Sequence, residues 1–312
     1  MIKNYIILAH RHPKQLYRMI EKLQDENSHF YIHLDLKNSM EDFEFLNELQ
    51  NVKFIKERIN CIWGDFSIVR ATLELIHNVI NDGNEGFTIL LSGQDYPLKS
   101  NSYITDFLKQ NSTKNFIDIL PIEEKWGKKM VKDKIENYHI LHSESRSNSN
   151  CYAPFYSGNL KSKFRTVLHL AKGRLSSENF KFLKTLPKRI PLFEKQYAGS
   201  QWWALNWETL KTMKAYIDEN FSSLEAYYSY TSSPDELFFQ TVLMHVFSGE
   251  IENFNPSLTY VNWERKGCSL PVTFTASDFN ELAQKPHLFA RKFDTEISSQ
   301  LLNKIDSDLL NH

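Results

Sequence analysis

The stretch from Tyr5 to Leu34, YIILAHRHPKQLYRMIEKLQDENSHFYIHL, holds two short apolar runs separated by an amphipathic one. Tyr5 to Ala9 (YIILA) and Phe30 to Leu34 (FYIHL) have the length and the β-branched and aromatic content of buried strands, and Pro13 to Leu23 has the period of an amphipathic helix. Strand, helix, strand in this order is the unit from which a parallel sheet is built. Outward from it the rhythm continues: a helix near Met40 to Gln50, a third strand at Val52 to Ile55, a long helix from Ser67 to Ile80, and a fourth strand at Phe87 to Leu91 (FTILL) that stops at Ser92-Gly93-Gln94-Asp95. The fold class is therefore α/β, with a mostly parallel central sheet flanked by helices. In open sheets of this class ligands bind beyond the carboxyl ends of the strands, so His10, Asp35 and Gln94-Asp95 could converge on one site. Taken singly, each also fits the ordinary role of a polar residue that begins a loop.

Composition narrows the function. The chain has 312 residues, 41% hydrophobic and 24% charged, which is the balance of a soluble globular protein and not of a disordered or low-complexity one. A formal net charge of -1 provides no global basic field, so nucleic acid is not expected as a partner. Cys61, Cys151 and Cys268 lie far apart with no zinc or disulfide spacing, which fits a reducing compartment. Tyr5 to Ala9 is too short for a secretory leader, and no run approaches the roughly 18 apolar residues of a membrane span. The expected location is cytoplasmic, or peripheral on the inner membrane face. The aromatic content (22 Phe, 14 Tyr, 6 Trp) suits stacking on sugars, but aromatic side chains fill cores first.

Beyond the first hundred residues the signals are local. Glu123 to Gly158 is charged and then Ser/Asn-rich, with no hydrophobic period, and reads as a long surface excursion. Lys161 to Lys195 is basic, with apolar positions such as Val167, Leu168 and Leu170, a pattern that fits either a solvated face or contact with anionic lipid. In SQWWALNW, from Ser200, strand alternation sends Trp202 and Trp203 to opposite sides, one to the core and the other to a pocket wall, in an order the pattern leaves open. Ser233-Pro234-Asp235-Glu236 has the spacing of a helix-start capping box, and a glutamate so placed is also held ionised, as a general base must be. Near the C-terminus, Trp263-Glu264-Arg265-Lys266 and His287 to Asp294 bring basic groups that could clamp a diphosphate. Neither phosphate-loop nor dinucleotide glycine motif occurs, and the Asp-x-Asp pair, Asp306 and Asp308, falls in a segment that reads as a solvated helix. A metal-dependent sugar transferase is thus disfavoured.

The order of these motifs resembles the core-2 and I-branching β-1,6-N-acetylglucosaminyltransferase family, which also contains the peptide xylosyltransferases. The matching residues are His10 in ILAH, Asp35 in IHLD, SGQDYPLKSN from Ser92 to Asn101, Gly199-Ser200, SPDE from Ser233 to Glu236, and HLFARKFD from His287 to Asp294. The resemblance implies a GT-A-like nucleotide-sugar-binding fold and a single glycosyltransferase domain over residues 1–312, with a nucleotide-binding half at 1–110 and an acceptor and catalytic half at 111–312. It also implies a UDP-sugar donor, inversion at the anomeric carbon, and no metal or other cofactor. Carried over residue by residue, it makes Glu236 the general base and gives Lys292 and Arg265, with Lys266 as a rival, the diphosphate. It puts Asp35 and His10 near the uridine, Gln94 and Asp95 in the donor and acceptor cleft, and Glu123 at acceptor hydroxyls; Trp202 and Trp263 are, from their residue type, expected to stack on substrate sugars. The expected acceptor is a glycan, lipid-linked or capsular, and the expected sugar is N-acetylglucosamine. The alternatives are xylose transfer and a non-catalytic carbohydrate-binding protein of the same fold. The chain departs from the animal enzymes in lacking their membrane anchor and cysteine-rich pattern, which points away from a Golgi-type location and glycoprotein acceptors.

Overall fold

In the computed structural model, which describes residues 1–144 and 148–311, the strands β1 (Lys3–Ala9), β2 (Ser28–Leu34), β3 (Val52–Phe54) and β4 (Phe87–Ser92) are parallel neighbours in the order β3-β2-β1-β4. Tyr5, Ile6 and Ile7 are all fully buried because helices cover both faces, which is why the strand is written as a continuous apolar run. Tyr5, Ile7 and Ala9 join Leu16, Met19 and Ile20 of α1 (Pro13–Leu23) in one core, whereas Ile6 joins Val69, Ile76 and Val79 of α2 (Ser67–Asp82) in the other. Alternate side chains thus feed opposite layers. The helix expected at Met40 to Gln50 is instead a tighter 3-10 winding over Glu41–Glu48. Its two buried residues, Phe43 and Leu46, are three apart and so share one edge of a helix with three residues per turn.

The chain continues through β5 (Asp95–Pro97), α3 (Asn101–Gln110, capped by Ser100), β6 (Asn115–Ile117), β7 (Leu120–Pro121), α4 (Ile122–Lys125) and α5 (Lys128–Ile135). After α5 come the hairpin β8 (Tyr138–Leu141) and β9 (Ser149–Tyr152), then α6 (Leu160–Ala171) and α7 (Ser177–Thr185). The expectation of a long surface excursion over Glu123 to Gly158, a mobile flap over a site or a plain loop, is corrected here by these helices and this hairpin. Tyr138, Ile140 and Tyr152 of the hairpin make a small core with Leu175 and Leu183, too few and too scattered in sequence to register as a period. Ser145, Arg146 and Ser147 of the Ser/Asn-rich run lie outside the described residues. Buried Arg189 ties this lobe down, donating to the carbonyls of Lys134 (2.7 Å), Asn137 (2.7 Å) and Tyr227 (2.8 Å) and to the Thr231 hydroxyl.

The remaining elements are β10 (Tyr197–Ala198), β11 (Trp203–Leu205), α8 (Trp207–Tyr228), α9 (Phe238–Val246), β12 (Phe254–Asn255), β13 (Thr259–Val261), α10 (Phe279–Ala283), β14 (Phe289–Arg291) and α11 (Ser299–Ile305). β11 pairs antiparallel with β4 and β6, and β12 parallel with β6, completing a mixed, mostly parallel seven-stranded sheet. A second sheet, β13-β14-β5, lies across the carboxyl end of the first. The C-terminal segment that reads as solvated is anchored: Asp306 accepts from Arg18 Nε (3.0 Å) and from the Tyr96 hydroxyl (2.7 Å), so this half of the Asp-x-Asp pair is taken up holding the end of the chain to α1 and β5.

Candidate functional site

Past the carboxyl ends of β1 and β4 opens a cleft of about 1140 Å³. One wall carries carboxylates. Ser233 has left-handed backbone (φ 50°), and its side chain caps nothing, so the expected capping box is absent. The turn is closed through the backbone instead, Glu236 N–H donating to the Ser233 carbonyl (3.2 Å) and Leu237 N–H to that of Pro234 (3.0 Å). A capping box does form elsewhere, between Thr275 and Asp278. Because Leu237 interrupts the winding before α9, Glu236 stands apart from the helix and faces the cleft.

Two contacts aim that glutamate. Lys125, at the end of α4, holds its Nζ 3.4 Å from Glu236 Oε2 and also donates to the Gly199 carbonyl. Gly199 N–H donates in turn to the Glu236 carbonyl (2.9 Å). A Cβ on Gly199 would overlap the Asp118 carbonyl, so glycine is required for this close approach. Asp235, half-buried, lines the cleft beside it, its Oδ1 buried and without a hydrogen-bond partner among the described residues. Burial first, and then the Glu236 charge, push its carboxyl up to about 7, against the pull of Lys134 and Lys125. Lys134 is itself buried, its pKa lowered by desolvation, with its Nζ donating to the Ser232 carbonyl (2.7 Å) and lying 4.0 Å from the Trp126 ring centre.

Cations from β14 also line the cleft. Arg291, at the end of β14, stacks its guanidinium 4.3 Å from the Trp202 ring centre and lies 3.5 Å from Asp95 Oδ1. Burial lowers the Arg291 pKa, and Asp95 and Asp235 counter that shift. Lys292 follows on the cleft wall, its N–H donating to the Val272 carbonyl (3.2 Å) and its own carbonyl accepting from Phe274 (3.0 Å).

The structure brings His10, Gln94, Trp202, Glu236, Trp263 and Lys292 onto the cleft wall. Trp202 and Trp203 part as alternation requires: Trp202 meets Arg291 at the cleft, and Trp203 packs on Phe239 in the core. Asp35 is buried beside the cleft, its N–H bonded to the Ala9 carbonyl (2.9 Å) and its carboxylate 3.3 Å from Lys37 Nζ. Asp95 is fully buried beneath the wall, accepting from Ser92 N–H (2.7 Å) and Ser92 Oγ (3.1 Å), and burial pushes its carboxyl up to about 6 although Arg291 opposes. Glu123 is exposed and does not line the cleft, since the short helix α4 turns it outward and presents Lys125. Arg265 does not line it either: its guanidinium is held by Asp278 (2.7 Å) and Glu281 (2.9 Å), and Lys266 is exposed. Lys125, Asp235 and Arg291 escape the sequence reading as site residues. Asp235 and Arg291 lie inside the quoted SPDE and HLFARKFD runs, but nothing in the sequence marks Lys125.

A family model described as Core-2/I-Branching enzyme matches residues 4–283. Xylosyltransferase 1 of Rattus norvegicus is 26% identical over 328 residues, covering 98% of this chain and 35% of that protein. Xylosyltransferase 2 of Homo sapiens is 28% identical over 328 residues, covering 98% and 33%. The chain thus spans about a third of the length of the curated relatives it matches.

Proposed function

The chain belongs to the Core-2/I-branching enzyme family, and on that premise we propose that it is an inverting glycosyltransferase that uses a UDP-sugar without a metal. The observation that carries this reading is that one cleft, large enough for a nucleotide sugar, is lined by the carboxylates Asp235 and Glu236 together with the cations Arg291 and Lys292. Glu236 takes the proton of an acceptor hydroxyl while that oxygen bonds to the anomeric carbon from the face opposite UDP. The bond to the diphosphate breaks, and UDP leaves with the electron pair. The reacting sugar passes through an oxocarbenium-like state, as in inverting glycosidases. A diphosphate leaving group needs its charge stabilised more than it needs a proton, and Lys292, backed by the half-buried Arg291, supplies that field. Lys125, 3.4 Å from its carboxylate, holds Glu236 in direction until the acceptor arrives. Glycan is the acceptor class, and a lipid-linked or capsular glycan at the cytoplasmic membrane face fits the basic character of α6 and α7. N-acetylglucosamine is the sugar we favour. The xylosyltransferase relatives support xylose as a second reading.

The test is turnover of a UDP-sugar panel that includes both donors, with chelator present, for the native chain and for Glu236→Gln. The variant is expected to lose about 10²–10⁴-fold in rate, the usual worth of a general base. Its affinity for UDP by calorimetry should stay within about twofold. Normal turnover by Glu236→Gln, or a native chain that binds no UDP, rejects the assignment.

A further inference from the structure

Away from the cleft, α6 turns its apolar side outward. Leu160, Phe164, Val167 and Leu168 are 86, 70, 46 and 37% exposed, and Ala171 is exposed too. Their spacing of four, three, one and three places all five on a single stripe of a helix roughly 18 Å long. Of the whole helix only Thr166 is buried. The stripe is not an unfinished core, because the lobe's own core of Tyr138, Ile140, Tyr152, Leu175 and Leu183 is closed beneath it. Lys161, Arg165 and Lys172 run along one flank of the stripe, and Lys163 lies on the other. Between Tyr156 and Leu192 there is one carboxylate, Glu178. With Arg189 consumed inside the protein, eight cationic side chains face it, on a chain whose net charge is -1.

We infer that this face of α6 docks on an anionic lipid bilayer, setting Leu160, Phe164, Val167 and Leu168 at the headgroup boundary while Lys161, Arg165 and Lys172 reach lipid phosphates. The charge selects the occupant. A second copy of the chain would set one basic stripe against another, whereas an anionic surface neutralises it. The shape agrees, since a convex ridge of one helix lies readily in a soft plane. The inference develops the membrane-side part of the proposed function and is independent of its chemistry. It also gives the lobe a purpose: Arg189 and Lys134 fasten it to Thr231 and Ser232, immediately before the Ser233 to Glu236 turn, so a docked α6 holds the cleft at a fixed offset from the lipid.

Flotation of the chain with phosphatidylcholine vesicles, with and without phosphatidylglycerol, tests the inference. Binding is expected to the anionic vesicles alone and to fall with added salt. The double substitution Leu160→Ser/Phe164→Ser should lower the bound-to-free ratio at least about tenfold, because the apolar area that enters the interface is lost. Failure of the native chain to float, equal flotation with neutral vesicles, or indifference to salt overturns the docking, and so does a double variant that floats normally. A lipid-free dimer that the double substitution dissolves, seen by sedimentation equilibrium, assigns the stripe to a second copy and overturns it equally. UDP calorimetry on the native chain keeps the two readings separate: loss there removes the transferase and leaves the vesicle result standing.

Discussion

The carboxylates and the β14 cations that line the cleft stand on different kinds of backbone. The cations stand at the end of β14, where Arg291 is clamped between Trp202 and Asp95 and the Lys292 backbone is bonded on both sides. The carboxylates stand on a short irregular turn, where Asp235 keeps an unpartnered oxygen and Glu236 leans on a lysine from another element. A fixed positive field suits a leaving group whose position does not change, whereas an acid that must gain and lose a proton works better where its pairing is incomplete. On the proposed function, the β14 cations serve binding and the carboxylate turn serves proton transfer.

Three substitutions break or sharpen that division. The largest effect is expected from Lys292→Ala, which should cost about 3–4 kcal/mol of transition-state stabilisation, as loss of a charge-stabilising donor does elsewhere. Unlike Glu236→Gln it should also weaken UDP binding. Steady-state kinetics and calorimetry read both effects, and unchanged UDP affinity would move the diphosphate off this wall. Next is Asp235→Asn. A carboxyl raised to about 7 in the fold, against an ordinary 3.8, means that the folded protein holds a proton the unfolded chain has released. Stability therefore falls as pH rises through the interval between those values. The asparagine carries no such penalty, so it should gain about 1–3 kcal/mol over the native chain near pH 8 and almost nothing near pH 4, read by urea unfolding. A gain equal at both pH values would show that Asp235 is not protonated in the fold. The smallest effect is expected from Arg265→Ala. Its partly exposed pairs with Asp278 and Glu281 are worth about 1 kcal/mol or less, and UDP affinity should change less than about twofold. A loss matching that of Lys292→Ala would extend the cationic wall to the Arg265 loop.

The sheet was legible because a strand covered on both faces has to be written as a contiguous apolar run, and Tyr5 to Ala9 and Phe87 to Leu91 are such runs. The winding at Glu41 to Glu48 was misjudged because Phe43 and Leu46 fit a three-residue period and a longer one equally well. At Ser233 the residue types of a capping box were present, but the backbone there is left-handed, the side chain caps nothing, and the Ser233 N–H is bonded to the Gly64 carbonyl, a partner far off in sequence. On the cleft, Glu236 and Lys292 were found through runs that are compact in sequence. Lys125 was hidden because its meaning comes only from a partner more than a hundred residues away. Arg265 looked free for a ligand because Asp278 and Glu281, which hold it, come later in the chain and carry no mark of that purpose.

Gly199 occupies the joint between these parts. It bonds the Glu236 backbone, receives Lys125, and has no room for even one more carbon against Asp118. The backbone of the proposed base is therefore fixed by main-chain atoms at a position that admits no side chain, and Lys125 aims its carboxylate. If the proposed function holds, swapping the aromatic residues around the cleft can alter what is admitted, while the proposed base keeps its place beside Gly199.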